Sequence, residues 1–314
     1  MFLVEFKTPK NQATIDKWRR MAGVGDKAAM ANLGGAFYFG KVVNKDKAEA
    51  LDWWRKAVVR NHPPSMYALG CLYHLGSVVE RDYVKALRLW EKSVACGFKS
   101  AYGPLGVAYF YGHGTEVDKA KAVEFWEKGA KNGDPDAQYA LARSFELGEG
   151  APKDIDQAIK YFTLSSQQGY LGAHYRLGRI YSGETSRFDQ AKALSHWREA
   201  ASKRHPKSMV YYGLALYKGD GEPKNEALAT RFWQKAVEYG DLDAMYCMGL
   251  LHYKNPDSST FSDKLAREWW RKAADNGHDK AASALTLLEN DQRDKLAAFD
   301  FYSDLDLDDP TVLI

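Results

Sequence analysis

The chain has 314 residues, of which 45% are hydrophobic, 27% charged and 13% aromatic. This composition is too apolar for a disordered chain, and the absence of any run of about 18 apolar residues argues against a helical membrane protein. Lys and Arg number 44 against 41 Asp and Glu, so the formal net charge is only +3. Bulk charge therefore gives no indication of nucleic-acid binding.

The cysteines and the first residues of the chain give little information about the cellular compartment of the protein. Cys71, Cys96 and Cys247 form no C-x-x-C pair, so neither a disulfide framework nor a zinc site is indicated, and buried free thiols are expected. The opening sequence M-F-L-V-E-F-K becomes charged too soon for the core of a signal peptide. We expect a cytoplasmic protein, with a periplasmic location as the alternative if an export signal has been removed.

A large aromatic residue recurs about every 36 residues along the chain, which indicates a tandem repeat. Alanine stands four places before nearly all of these aromatics, and a small residue stands three places after most of them. The three positions share one helical face, where small side chains let a neighbouring helix approach the ring. The recurring aromatics are Trp18, Trp54, Trp90, Trp126, Phe162, Trp197, Trp233 and Trp270.

Each aromatic helix is predicted to stop seven residues after its aromatic, where Gly or Asn can adopt the left-handed conformation that ends a helix. The fifth unit differs, because Arg204-His205-Pro206 stands there and proline stops a helix by another route. The other stops are Gly25, Asn61, Gly97, Gly133, Gly169, Gly240 and Gly277.

A Leu-Gly pair, or its equivalent, marks the other helix of each unit. Glycine inside a helix costs about 1 kcal/mol relative to alanine, so its recurrence predicts close helix crossing. The fourth unit departs from the row with Leu141-Ala142. The glycines are Gly34, Gly70, Gly106, Gly178, Gly213 and Gly249, and the predicted helix ends are Gly40, Gly76, Gly112, Gly148, Gly183, Gly219 and Asn255.

In chain order, the pattern predicts a lone second helix over Asn11–Ala22, then helical hairpins, and a last first helix over Ala281–Glu289. Hairpins that cannot bury an apolar face alone stack into a solenoid. We therefore predict an all-α, α/α solenoid with three parts. Residues 1–27 form an N-terminal cap with a partial repeat, 28–290 form seven repeats plus a terminal half repeat, and 291–314 form a C-terminal tail. The first helices are predicted to begin near Ala29, Ser65, Ala101, Ala137, Ala173, Ser208, Ala244 and Ala281.

The third unit, from Ala101 to Gly133, contains L-G at 105–106, Tyr109, G-H-G at 112–114, Ala122 and W-E-K at 126–128. This pattern resembles the Sel1-like repeat, a relative of the tetratricopeptide repeat, and the resemblance covers residues 11–290. It implies tandem helix-turn-helix units wound as a right-handed superhelix with a concave groove. It also implies a non-enzymatic scaffold or adaptor, and one specific family role is an immunity protein that neutralises a secreted bacterial toxin.

No constellation of residues indicates catalysis, a cofactor or a metal. The G-x-x-x-x-G-K sequence at 35–41 lacks the following Ser or Thr and the preceding strand of a phosphate-binding loop. The eight histidines form no metal motif and are expected at the surface. The alternative is an enzyme or enzyme accessory module, like the β-lactamase-like hydrolases among cysteine-rich family members. That activity implies Ser with Lys three residues later, and both S-x-x-K and paired cysteines are absent.

Candidate partner-binding residues lie on the first helices, where the resemblance places the groove. Tyrosines two places before the Leu-Gly row share a helical face with arginines four residues later. Tyr and Arg are enriched at binding hot spots, and the Arg fork suits carboxylates, so the groove is predicted to capture an acidic protein or peptide segment. The alternative is that the tyrosines are packing residues and the arginines are merely solvated. The candidates are Tyr67, Tyr139, Arg143, Tyr175, Arg176, Arg179 and Tyr246.

The tail at residues 291–314 has an acidic and apolar composition. Seven Asp against Arg293 and Lys295 give it a net charge of −5, which leaves +8 for the rest of a chain whose total is +3. Such a segment can cap the last helix, dock on its own solenoid or recruit a partner, and we favour docking in place. A monomer that binds a protein, without nucleic acid or a membrane span, is expected.

Overall fold

The computed structural model describes residues 6–183, 187–253, 262–292 and 295–296. Within these ranges the chain forms sixteen α-helices, one short 3-10 helix at Lys99–Ala101 and no strand, which confirms the all-α solenoid. The predicted turn at Asn255 and the tail from residue 297, including its predicted docking, lie outside the described residues.

The helices are twelve or thirteen residues long in most units, and the predicted first helices begin one or two residues from their expected positions. Even-numbered helices are the first helices of the repeats, and odd-numbered ones are the second helices. The bounds are Gln12–Gly23 (α1), Lys27–Phe39 (α2), Lys47–Val59 (α3), Pro63–Leu75 (α4), Tyr83–Ala95 (α5), Tyr102–Tyr111 (α6), Lys119–Lys131 (α7), Pro135–Leu147 (α8), Ile155–Gln167 (α9), Leu171–Ser182 (α10), Gln190–Ser202 (α11), Pro206–Lys218 (α12), Glu226–Glu238 (α13), Leu242–Tyr253 (α14), Asp263–Ala274 (α15) and Asp279–Glu289 (α16).

The chain folds into two compact units, the first ending at Ser165 and the second beginning at Ser166. In the first unit α2 packs on α3, α4 on α5 and α6 on α7. In the second unit α10 packs on α11, α12 on α13 and α14 on α15. First helices of successive repeats also touch, as α6 touches α8 and α12 touches α14. These contacts are those of stacked helical hairpins.

Side-chain caps explain where the helices begin. Most second helices follow an aspartate such as Asp118, whose carboxylate accepts the Lys121 N–H at 2.9 Å. Some first helices follow a histidine, as when His205 Nδ1 accepts the Ser208 N–H at 3.3 Å and Pro206 occupies the first helical position. A cap satisfies one backbone donor that the helix itself leaves open.

The recurring aromatics are buried, as predicted, and six of the eight cross close to a Leu-Gly glycine. Trp126 is 1% exposed, and its indole Nε1 donates to the Gly103 carbonyl at 3.2 Å. A Cβ added at Gly106 would lie 2.1 Å from that Nε1. The fourth repeat, which has Ala142 in place of glycine, has the smaller ring of Phe162 in place of tryptophan. The predicted close crossing is confirmed.

Two of the predicted helix stops differ from expectation. Arg204 itself adopts the left-handed conformation, with φ of 68°, so the fifth unit ends by the same geometry as the others. Gly183 does not: its φ is −74° and its backbone is extended. The connection from α10 to α11 has seven residues, like its equivalents, whereas α10 itself is one residue shorter than α8 or α12. α10 therefore lacks the left-handed C-cap seen at Gly112.

Candidate partner-binding surface

The four tyrosines of the predicted groove are buried. Tyr139, Tyr175 and Tyr246 are at most 1% exposed, and Tyr67 is 9% exposed. The Tyr139 ring packs 5.5 Å from Phe162 and the Tyr246 ring 6.4 Å from Trp270, between ring centroids. Rings that fill the space between helices present little surface to a partner. Contact between these tyrosines and a partner stays a prediction. The alternative, that they are packing residues, holds for all four.

In the first unit, Arg143 lies beside an exposed tyrosine that sequence reasoning missed. Arg143 Nε is 3.5 Å from Glu146 Oε2, and both side chains are mostly buried. Tyr111, the last residue of α6, is 42% exposed. Burial raises the pKa of the Tyr111 hydroxyl, while nearby Arg143 opposes that shift. The sequence offered one signal for Tyr111: it directly precedes Gly112, the predicted end of the helix, and lies in the last turn.

In the second unit, Arg179 is held against Tyr211 of the next first helix. Arg179 Nη1 donates to the Tyr211 hydroxyl at 2.7 Å, and the guanidinium lies 5.1 Å from the centroid of that ring. The Tyr175 ring packs 5.7 Å from Tyr211, and the Arg176 guanidinium lies 5.7 Å from the Tyr175 centroid. Both Arg179 and Tyr211 remain partly exposed, whereas Arg176 is buried. The buried Tyr175 thus supports two arginines that were predicted beside it.

A largely buried network of charged residues connects α12, the helix that contains Tyr211, with α14 and the start of α16. Lys207 Nζ lies 2.7 Å from Asp243 Oδ2 and 3.7 Å from Asp241 Oδ2. His278 Nδ1 accepts the Ala281 N–H, so its Nε2 carries the proton and donates to Asp243 Oδ1 at 3.0 Å. The network joins α12, α14 and the start of α16.

The ionisation of this network follows from its partners. Burial would raise the pKa of Asp243, but the His278 hydrogen bond and Lys207 hold it below its usual value. Burial would lower the pKa of Lys207, but Asp241 and Asp243 raise it. Asp241 has a raised pKa because burial outweighs the nearby Lys207. A charged Lys207 and an ionised Asp243 are therefore the stable pair at neutral pH.

The acids and the histidine of the network are engaged in holding helices. Both Asp243 oxygens have partners, and Asp241 Oδ1 caps α14 by accepting the Ala244 N–H at 2.9 Å. Sequence reasoning missed Lys207, Tyr211, Asp243 and His278. One signal was available: Lys207 and Asp243 occupy the same place in successive repeats and carry opposite charges.

Two histidines, His74 and His278, are buried rather than at the surface that the sequence predicted, and the other six are partly exposed. His74 Nε2 lies 3.0 Å from His113 Nδ1, and His174 Nδ1 lies 3.1 Å from His196 Nδ1. Burial, followed by the charge of the paired ring, lowers the pKa of His74 and of His196 to about 4. His278 is buried as well. In each of the two pairs, one imidazole is the hydrogen-bond partner of the other, in the place that water takes at an exposed histidine.

The cysteines follow the prediction in two of three cases. Cys71 and Cys247 are buried free thiols, and burial raises the pKa of Cys71 to about 12, whereas Cys96 is exposed. No group of three or more His, Cys, Asp or Glu side chains is arranged to hold a metal ion anywhere in the described ranges. In the same ranges, no helix has the length and apolar character needed to cross a bilayer.

Seven consecutive stretches of the chain match the Sel1 repeat family: residues 27–58, 63–98, 102–134, 135–170, 171–205, 206–241 and 242–278. The chain belongs to the Sel1 repeat family. Each match spans one first helix and one second helix of the structure. Sel1 repeat proteins are generally non-catalytic scaffolds that bind other proteins.

Solved structures of Sel1 repeat proteins share the fold. A protective antigen present in uropathogenic Escherichia coli strains is 26% identical with a TM-score of 0.73, and the match covers 87% of this chain and 59% of that protein. This chain thus spans less than two thirds of that relative. A Sel1 repeat protein from Oxalobacter formigenes is 29% identical with a TM-score of 0.66, covering 88% of this chain and 80% of that one. An immunity protein from Pseudomonas aeruginosa is 22% identical with a TM-score of 0.43 over 73% of this chain and 83% of that one, too distant to inform function.

Proposed function

We propose that this Sel1 repeat protein is a non-enzymatic adaptor that binds an acidic segment of a protein partner on the first helices of its second unit. The contact surface consists of the partly exposed Arg179, Lys207 and Tyr211, with the buried Arg176 behind them, and is named here the arginine–tyrosine cluster. The observation that carries the proposal is the partly exposed Arg179 guanidinium, fixed by a 2.7 Å hydrogen bond to the Tyr211 hydroxyl.

The charges of the cluster favour an anionic ligand. Lys207 is neutralised by the buried Asp243. Arg176 and Arg179 lie close enough to the Tyr175 hydroxyl to favour its ionised form, although burial keeps the Tyr175 pKa raised. The surface therefore presents the positive charge of the Arg179 guanidinium, and a guanidinium binds a carboxylate through paired hydrogen bonds.

The fixed geometry of Arg179 adds to its suitability. An arginine on an open surface loses rotamer freedom when it binds, at a cost of about 0.5–1.5 kcal/mol for a side chain of this kind. Here Tyr211 already restrains the guanidinium through a hydrogen bond and a ring contact. Pre-ordered arginine and tyrosine side chains are typical of binding hot spots.

Arg143 has a smaller part in this proposal. Its guanidinium is close to Glu146, so one carboxylate within α8 already compensates its charge. An exposed Tyr111 nearby supplies apolar contact area. We assign this region of the first unit an auxiliary role that does not depend on an acidic ligand.

The partner can be isolated by affinity capture from native lysate with the full-length chain as bait. We then compare the affinity of the purified partner for wild type and for Arg179→Ala at two salt concentrations. The matched control is Arg231→Ala, which removes an exposed arginine of the second unit from α13.

We expect Arg179→Ala to weaken binding at least tenfold and to reduce the salt dependence, whereas Arg231→Ala leaves both unchanged. The double variant Arg143→Ala, Arg179→Ala should bind no more than slightly weaker than Arg179→Ala alone. Unchanged affinity in folded Arg179→Ala removes the cluster as the binding site. Where the captured partner is a toxin, inhibition of its activity at an equimolar ratio identifies the immunity role.

A further inference from the structure

The carboxyl-terminal segment of this chain has the chemistry that the arginine–tyrosine cluster favours. Residues 300–309 read D-F-Y-S-D-L-D-L-D-D and contain five of the seven aspartates after residue 290. In an extended strand the side chains of Asp304, Asp306 and Asp308 point to one side, and Leu305 and Leu307 point to the other. Such a segment offers a row of carboxylates about 7 Å apart, together with an apolar edge.

The described residue that precedes the segment, Leu296, lies in the same compact unit as the cluster. Leu296 is buried in the hydrophobic core that also contains Tyr175 and Tyr246. His278, the N-cap of α16, is hydrogen-bonded to Asp243, which in turn contacts Lys207 of the cluster. The start of α16 therefore lies one side chain away from the cluster.

The length of the segment is sufficient for return to that point. The eleven residues of α16 rise about 16 Å from His278. When extended, the eight residues from Ala297 to Asp304 span up to about 28 Å, and the thirteen to Asp309 span up to about 45 Å. Both lengths exceed the rise of α16, so the segment can return to the start of that helix.

We propose that residues 300–309 are an intramolecular ligand of the arginine–tyrosine cluster, occupying the surface that an acidic partner uses. The inference rests on the proposed function, because it assigns the same surface. In this proposal the aspartates of the segment supply carboxylates for Arg179, and its leucines supply apolar contact for the partly exposed Tyr211 ring. A partner then binds by displacing the segment, so the segment sets a threshold for partner binding.

The covalent link between the segment and the repeats strengthens this contact without any additional interaction. A short flexible linker gives a tethered ligand an effective concentration in the millimolar range. A peptide that binds the free cluster with a Kd of about 100 μM therefore binds at least tenfold more weakly to the wild-type chain, since the tethered segment occupies the cluster.

The test uses the full-length chain with Asp304, Asp306, Asp308 and Asp309 all replaced by Asn, which neutralises the segment and keeps the folded repeats unchanged. The probe is a fluorescent synthetic peptide of residues 297–314, followed by fluorescence anisotropy. We expect it to bind the neutralised chain at least tenfold more tightly than wild type. Adding Arg179→Gln should remove that gain, and adding Arg231→Gln should not.

Three results overturn the inference. The peptide can bind wild type and the neutralised chain equally, bind independently of Arg179, or bind as well when its own aspartates are replaced by Asn. Concentration-dependent dimerisation of wild type that is lost in the neutralised chain overturns the intramolecular contact and assigns the ligand to a second copy.

The proposed function is judged separately. An isolated partner whose affinity depends on Arg179 but not on the four aspartates supports the proposed function and refutes the tail contact. A peptide that binds through Arg179 while the isolated partner is insensitive to Arg179 gives the reverse outcome.

Discussion

The contact between Gly106 and Trp126 provides a quantitative test of how each repeat is packed. Replacing Gly106 with alanine places a Cβ 2.1 Å from the indole Nε1 and 2.4 Å from Cδ1. Ordinary contact between such atoms is about 3.5 Å, so the indole has to move by more than 1 Å. That movement also breaks the 3.2 Å hydrogen bond from Nε1 to the Gly103 carbonyl.

Gly106→Ala has two opposing effects on the free energy of unfolding, and the steric cost is larger than the gain in helix propensity. Alanine in place of a helical glycine stabilises α6 by about 1 kcal/mol. Overpacking costs about 1–3 kcal/mol, and a buried donor left without its acceptor costs about 1–3 kcal/mol more. We therefore expect Gly106→Ala to lower the free energy of unfolding by about 3 kcal/mol, comparable to the lower end of the 3–5 kcal/mol expected for Trp126→Ala.

The fourth repeat combines Ala142 with Phe162, and this pair indicates which second substitution can recover the stability lost in Gly106→Ala. Trp126→Phe alone should destabilise the chain, because it removes the hydrogen bond and part of the ring. In the double variant Gly106→Ala, Trp126→Phe, the new methyl group occupies space that the indole has left. The double variant should be more stable than the sum of the single effects predicts by at least about 1 kcal/mol.

The measurement is urea unfolding of all four proteins followed by circular dichroism, with the slope of the transition compared as well as its midpoint. A changed slope would report that repeats unfold separately. The control cycle is Ala142→Gly and Phe162→Trp, which rebuilds the common arrangement in the fourth repeat. Wild-type stability of Gly106→Ala, or strictly additive effects in the cycle, would refute the close-crossing explanation.

Three further predictions each test one feature of the fold. Lys207→Met should cost about 3 kcal/mol because it leaves Asp243 buried and charged, and Lys207→Met with Asp243→Leu should recover most of that loss in the same urea assay. Equal stability of the single and double variants would contradict the ion pair. The lowered pKa of His74 means that the folded state favours the neutral ring, so stability should fall as pH drops from about 6.5 towards 4. Replacing both His74 and His113 with Asn should flatten the dependence of Tm on pH over that range, and an unchanged slope would exclude the pair as its source. Arg204→Gly should raise the free energy of unfolding by about 0.5–1 kcal/mol because it relieves a left-handed non-glycine residue; a lower Tm would show that this backbone conformation is not strained.

Local sequence patterns are sufficient to predict the repeat and its helices. Trp126 and its equivalents, with small residues on the same helical face, predicted which face is buried. The Leu-Gly row predicted the closest crossing. These features are local, because periodicity and turn conformation depend on residues within one or two helical turns. The structure confirms the helices nearly to the residue for the same reason.

Which polar side chains are accessible to a partner depends on how the helices pack in three dimensions. Tyr175 and Arg179 share a helical face in the sequence, yet one is fully buried and the other remains partly exposed. That difference depends on Tyr211, which belongs to the next repeat. Lys207 likewise meets Asp243 only because successive first helices stack side by side. Contacts between repeats join residues more than 30 positions apart, and their distances depend on the packing of whole helices, which no local pattern specifies.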